Sequence, residues 1–234
     1  MPESLRAKRI AVRPKTPAGS AMKGVRTRQS ILERAVDVAS LEGLEGLTIG
    51  RLAEELKMSK SGLFAHFGSK EELQIATIEA ASQRYIHEIF QAAIREPRGF
   101  PRLLAICEAW LSYIRRRVFP GGCFFAAASF EFDSRPGPVH DRIRQLMDDW
   151  IGALERAIRM AQDEGHLQRE VDPSQLAFEL NSLFFGANFS YHLRHDEHAL
   201  EKAQKAVESR LNGLRTKGRS ARRSIERATV SSED

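Results

Sequence analysis

Cysteine is scarce in this 234-residue chain, with only Cys107 and Cys123. The two form no CxxC pair and no Cys/His metal spacing, which argues against a disulfide framework and a metal-binding module. No basic neighbour stands at a helical spacing that would clearly lower either thiol pKa, so structural or pocket-lining roles are expected rather than redox sensing. Long apolar runs are missing as well. No stretch approaches the roughly eighteen residues of a transmembrane helix, and no hydrophobic segment follows the basic N-terminus as a secretory signal requires. Serine is too sparse there for a transit peptide. The expectation is a soluble, cytoplasmic protein without a membrane partner. Strand-type alternation, internal repeats and low-complexity blocks outside the two ends are also absent. No nucleophile–base pair or converging carboxylates appear; Glu131 and Asp133 in FEFD come nearest and read as helix-surface charges. No enzyme, cofactor or metal is therefore expected.

What is present begins with charge. The net +5 is unevenly placed: residues 1–24 carry +5 and residues 215–234 carry +3, which leaves the body, 25–214, at −3. The pI of about 9.4 is thus a property of the ends. Both ends are poor in large apolar residues, which predicts a basic flexible arm (1–24) and a basic flexible tail (215–234). Solubility and attraction to a polyanion explain such ends equally well.

Between them nearly every segment has helical periodicity, and the fold class is all-α. Ile31, Leu32, Ala35, Val36 and Ala39 form one apolar stripe, stopped by Gly43 and Gly46. Thr48 is placed as an N-cap for a short helix that turns Ile49, Leu52, Ala53 and Leu56 inward. Ser59 caps a second short helix. Ser69, with Glu72 three residues on, has the capping-box pattern for a longer helix from about Lys70 to Arg95. Further helices follow through Leu103–Ile114, from about Val139 to Glu164, from Pro173 to about Leu193 and from about Glu197 to Leu214. Asp172-Pro173 supplies a cap followed by proline at the first helical position.

In MSKSGLFAHF, burying Leu63 and Phe67 leaves Ser59, Lys60, Ser61, Gly62 and Ala65 outward. Two short helices joined by a tight turn behind a preceding helix make a helix-turn-helix. A small outward face lets the backbone approach a major groove. TIGRLAEELKMSKSGLFAHFGSKEEL resembles the signature of the TetR family of transcriptional regulators, and AIRMAQDEGHLQREVDPSQLAFELNSLFFG is similar to that family's approach to its dimerisation helices. The resemblance implies a helix-turn-helix DNA-binding domain (25–72) followed by a helical effector-binding and dimerisation domain (73–214). It implies phosphate contacts from Thr48, Ser59, His66 and Lys70, and groove contacts from Lys60, Ser61, Gly62 and Ala65. There are departures from the family pattern. Phe64 stands where Tyr is usual, Lys57 stands in a turn that often has Gly, and Ala65 is small. Direct base readout is accordingly expected to be thin.

In the second domain Trp110, Tyr113, Phe124, Phe125, Phe130, Phe132, Trp150, Phe184, Phe185 and Phe189 are concentrated. Taken singly each reads as core; together they suggest an apolar cavity between helices. The expected wall combines Trp110, Tyr113, Cys123, Phe124, Phe125, Trp150 and Phe184, with Asn188, Asn181 and Cys123 as polar contacts. The expected occupant is a hydrophobic or aromatic small-molecule effector. His192, His195, His198 and Asp196 read as a solvated helix end rather than a metal site. Leu176, Leu180, Leu183, Phe184, Ala187 and Tyr191, then Leu200, Ala203, Ala206, Val207 and Leu211, exceed what one amphipathic stripe needs, which predicts a homodimer through the last two helices. A two-fold dimer would read a palindromic operator in double-stranded DNA. The alternatives are a helical-bundle enzyme and a non-specific architectural DNA binder using only the basic ends.

Overall fold

The computed structural model describes residues 18–216, with side chains described from Gly24 onward. The expectations for residues 1–17 and 217–234 lie outside the described residues. Among these there are nine helices: α1 (Ala18–Glu42), α2 (Ile49–Leu56), α3 (Lys60–Phe67), α4 (Lys70–Ala93), α5 (Phe100–Arg115), α6 (Phe124–Phe132), α7 (Pro138–Asp163), α8 (Pro173–His192) and α9 (Ala199–Gly213). Residues 18–24, read from sequence as arm, are the first turns of α1. The 72/73 domain boundary falls inside the first turn of α4.

The starts of these helices follow from short side chains. Thr48 accepts from the Arg51 N–H, Ser59 from Gly62 N–H, Ser69 from Glu72 N–H and Asp172 from Ser174 N–H, so each satisfies a donor the helix leaves unpaired. The capping box at Ser69 is only half made. The N–H of Ser69 donates to the Phe67 carbonyl at 2.7 Å, and the Glu72 side chain turns back against Gly68 instead. Lys57 ends α2 at φ 53°, ψ 40°, the left-handed conformation that favours glycine. A lysine there costs on the order of 1 kcal/mol relative to glycine.

Burial places α4 at the centre. Leu73, Ile78, Ala81, Ile89 and Ala93 along it are all but fully buried. At its N-terminal end, Ile31, Ala35, Val36 and Ala39 of α1 close over Leu52 and Ala53 of α2 and Leu63 and Phe67 of α3. Along the rest of its length α5 and α7 pack against it.

The two halves are joined by more than this shared helix. Glu131, near the end of α6, accepts the backbone N–H groups of Leu44 and Glu45 at 2.8 Å each. Gly43, at φ 85°, makes room: a Cβ there would lie 3.0 Å from Glu131 Oε1. Glu131 is therefore a clamp between domains and not the free surface charge expected of FEFD. Just before α6, Gly121 lies against the first domain, its backbone N–H donating to Ser40 Oγ at 3.3 Å. Arg84 of α4 adds an ion pair to Asp37 at 2.8 Å and a bond to the Val118 carbonyl at 3.3 Å.

A Cβ at residue 121 would fall 1.7 Å from the Ser40 carbonyl oxygen. Gly121→Ala must push this segment off α1 and should cost on the order of 1–3 kcal/mol, as overpacking does. Urea denaturation should show a lower midpoint; an unchanged midpoint would mean that this contact is not made in solution.

Candidate functional site

The first surface to consider is the outer face of α2 and α3. With Leu63 and Phe67 in the core, Ser59, Lys60, Ser61, Phe64 and Ala65 are exposed, and Gly62 and His66 partly so. Ser61 Oγ lies 3.4 Å from Ser59 Oγ. Thr48 and Ser59 are half occupied as caps, and both stand at helix N-termini, where unpaired N–H groups and the helix dipole favour an anion. Lys60 reaches back across α2: a Cβ at Gly50 would lie 3.6 Å from both its Cε and its Nζ. A cation is thus held over the positive end of a helix, an arrangement that an incoming anion would relieve. Lys70 differs, because its Nζ pairs with Glu45 at 2.6 Å, so its charge is already matched within the fold. Glu45 also takes Gln74 Nε2 at 3.4 Å, and its carboxyl is held below the usual range, chiefly by the Lys70 bond.

The second site is a cavity of about 470 Å³ between α4, α5 and α7, closed on one side by α6 and α8. Of the expected wall, Trp110, Cys123, Phe125 and Trp150 line it. Tyr113, Phe124 and Phe184 do not; they are core residues behind the wall. Phe184 stacks on Trp110, with centroids 4.6 Å apart at 16°, and so fixes the indole that faces the cavity. Asn188 and Asn181 also act from behind, the first accepting the Cys123 N–H at 2.9 Å and the second the Trp150 indole N–H at 3.0 Å. Tyr85, not anticipated from sequence, is the hub. Its ring meets those of Tyr113, Phe125 and Trp150 edge-on at 5.4–5.6 Å. Phe90, Met147, Met160, Arg102, Asp149 and Arg156 were likewise missed, whereas Phe185, one of the aromatics counted in sequence, does line the cavity.

Burial acts on the hydroxyls and the thiol in and behind this wall. It pushes the Tyr85 and Tyr113 hydroxyls well above the usual phenol range, keeping both neutral. It also raises Cys123, whose Sγ accepts the Ala126 N–H at 3.4 Å and caps α6.

The last two helices correct an expectation. Leu176, Leu180, Phe184 and Ala187 of α8, and Leu200, Ala203, Val207 and Leu211 of α9, are buried within the chain's own core. Leu183, Tyr191 and Ala206 are half-buried. The free apolar face of α8 is a different one: Phe178 (65% exposed), Phe189 (53%) and Leu193 (68%), with half-buried Phe185 against the exposed Phe130 of α6 at 5.8 Å. The exposed face of α9 is polar, with Glu201, Lys202, Lys205, Ser209 and Arg210. At the histidine cluster Asp196 accepts the His198 N–H at 3.0 Å and pairs with Lys202 at 2.7 Å. Among the described residues no three His, Cys, Asp or Glu side chains converge as metal ligands would.

Comparison with known proteins gives two family matches in tandem. Residues 31–77 match the model described as "Bacterial regulatory proteins, tetR family", and residues 99–207 match "Tetracyclin repressor-like, C-terminal domain". The chain is similar to the HTH-type transcriptional regulator TcmR of Streptomyces glaucescens, 29% identical over 146 residues that cover 62% of this chain and 58% of TcmR. The match therefore spans little more than half of that relative. It is also similar to the HTH-type transcriptional repressor NicS of Pseudomonas putida, 25% identical over 186 residues, 79% of this chain and 86% of NicS. A solved structure of a TetR transcriptional regulator from Chloroflexus aurantiacus superposes with a TM-score of 0.78 at 22% identity, covering 83% of this chain and 98% of that one.

Burial bears directly on thiol reactivity. Cys107 is pushed up to about 12 by burial and, secondarily, by the Glu108 charge, and Cys123 is also raised. A raised thiol pKa leaves less thiolate at any pH below it, so at pH ~8 both should stay protonated and inert. Ellman's reagent should release no thionitrobenzoate from the native protein and two equivalents in urea; prompt native release would show that one wall of the cavity opens to solvent.

Proposed function

Because the chain belongs to the TetR family of transcriptional regulators, we propose that it is a dimeric, sequence-specific DNA-binding repressor released from a palindromic operator by a small hydrophobic effector. The observation that carries this reading is Lys60 poised over the N-terminus of α2, beside the small exposed face of α3. Thr48, Ser59, His66 and Lys60 would engage phosphates, with Ser61, Gly62 and Ala65 against base edges. Lys70 would join only by exchanging Glu45 for a phosphate. The dimer would form through the apolar face Phe178–Phe189–Leu193 of α8, with α9 contributing polar contacts at its rim.

The release step follows from two helices that touch both sites. Helix α4 runs from the DNA-binding unit along the cavity, which it lines from Ser82 to Ile94. Helix α6 starts at the cavity with Cys123 and Phe125 and ends at the clamp made by Glu131. A ligand that binds better when α6 is displaced must weaken the arrangement that fits the operator, by no more than its difference in affinity.

The test is selection from random duplex DNA over several rounds, followed by sequencing. An enriched inverted repeat is expected; retention without a motif would favour attachment through the basic ends alone. On the selected site Lys60→Ala should weaken binding across sequences and reduce the salt slope by about one. Phe189→Asp should shift sedimentation from dimer to monomer, with loss of operator binding. A dimer that persists would place the interface elsewhere.

A further inference from the structure

The cavity is polarised in charge, and this identifies a class of ligand. Helices α4 and α7 run in the same direction along it: Glu79 pairs with Arg142 near one end, Tyr85 meets Trp150 further on, and Phe90 lies beyond. The lining of α4 from Ser82 to Ile94 is about 18 Å long at the α-helical rise. Arg102 marks the Ile94 end, because its guanidinium donates to the carbonyls of Glu96 (2.8 Å) and Ile94 (3.4 Å), where α4 stops. Nη1 is free of these bonds. Arg156, past Trp150 on α7, lies toward the same end and is exposed. Among the described residues neither guanidinium forms an ion pair. The one carboxylate of the wall, Asp149, stands seven residues before Arg156, about 10 Å along the helix. The opposite end is aromatic, walled by Tyr85, Trp110, Phe125 and Trp150.

We propose that the effector is an amphiphilic carboxylate, its anionic head on Arg102 and Arg156 and its apolar body running to the aromatic end at Tyr85. This rests on the reading of the cavity as the effector site. A neutral hydrophobe would leave the two guanidiniums unmatched beside it, and a cation would meet their repulsion. A carboxylate accepts paired N–H groups from an arginine fork and gains a charge-assisted bond at a partly desolvated mouth. Burial keeps Tyr85 and Cys123 neutral, so the aromatic end carries no charge apart from the exposed Asp149 at its edge, and the body there is apolar.

The test uses three probes of equal chain length, below their micellar concentrations: dodecanoate, 1-dodecanol and dodecyltrimethylammonium. The chain's two tryptophans, Trp110 and Trp150, both line the cavity, so intrinsic fluorescence reports occupancy without a label. Dodecanoate should bind about tenfold tighter than the alcohol, the effect of one net charge-assisted hydrogen bond. Arg102→Met and Arg156→Met should each remove several-fold of that preference. Arg156 makes no bond within the described fold, so Arg156→Met keeps the test valid if Arg102→Met loosens the end of α4. The proposal is overturned if the alcohol or the ammonium binds as tightly as dodecanoate, if the preference survives in the double variant, or if no probe perturbs the tryptophans. Operator release is scored separately. Carboxylate binding without release would sink the regulatory reading and leave the ligand class standing; release by the alcohol without carboxylate preference would do the reverse.

Discussion

Two backbone amides in the turn after α1 point at one carboxylate from the far side of the molecule, and the placement of the DNA-binding unit depends on it. Hydrogen bonds to a charged group contribute roughly 1.5–3 kcal/mol each, and Glu131 makes two, to Leu44 and Glu45. Leu44 is buried, so without that acceptor its N–H would be left unsatisfied in a place water does not readily reach. The turn accommodates the carboxylate only because Gly43 takes a positive φ and carries no Cβ. Consecutive N–H groups converging on an anion form a nest, and here the anion belongs to the protein itself.

That clamp sits at one end of a nine-residue helix whose other end is the cavity wall. The helix start is held by two weak or shared contacts: the Cys123 thiol on the Ala126 N–H, and the Asn188 side chain on the Cys123 N–H. A thiol is a poor acceptor compared with the hydroxyls of Thr48, Ser59 and Ser69 that cap α2, α3 and α4. The hydrogen bonds at the cavity end of α6 are therefore weaker than the charged clamp at its other end.

How much of this could be read from sequence depended on how local the cause was. Caps at Thr48, Ser59 and Asp172 and the outward face of α3 follow from neighbouring residues, so pattern reasoning reached them, whereas the strained turn at Lys57 was suggested only by the family resemblance. The clamp was out of reach: Glu131 meets amides 86 and 87 residues earlier in the chain, and nothing nearby distinguishes it from a surface charge. The cavity was half legible. Aromatic content located it, but which ring faces inward depends on the rotation of each long helix. That is why Tyr85 emerged as its hub while Phe184 and Tyr113 receded behind it. The apolar count on α8 had the same defect. Leu176, Leu180 and Phe184 are consumed by the chain's own core, and the apolar residues of α8 left exposed are the separate stripe at Phe178, Phe189 and Leu193.

The outer surface of the DNA-binding unit shows why the clamp matters. Arg51 bridges Glu42 at 2.8 Å and Glu55 at 3.0 Å, and Arg34 also pairs with Glu55, tying α1 to α2. Hydrogen bonds from these arginines hold the Glu42 and Glu55 carboxyls below their usual range. A depressed carboxyl pKa contributes stability that is present above the unfolded-state value and is lost as pH falls through the folded one. At neutral pH the network is intact, yet its members are solvent-exposed, and exposed pairs contribute little. They orient α2 against α1 without anchoring the unit to the rest of the chain. Anchoring falls to α4, to the Gly121 contact on Ser40 and to Glu131, two of which belong to segments that also border the cavity. The unit is thus tied internally by many weak bonds and held to the rest of the chain at a few points, most of them in segments that also border the cavity.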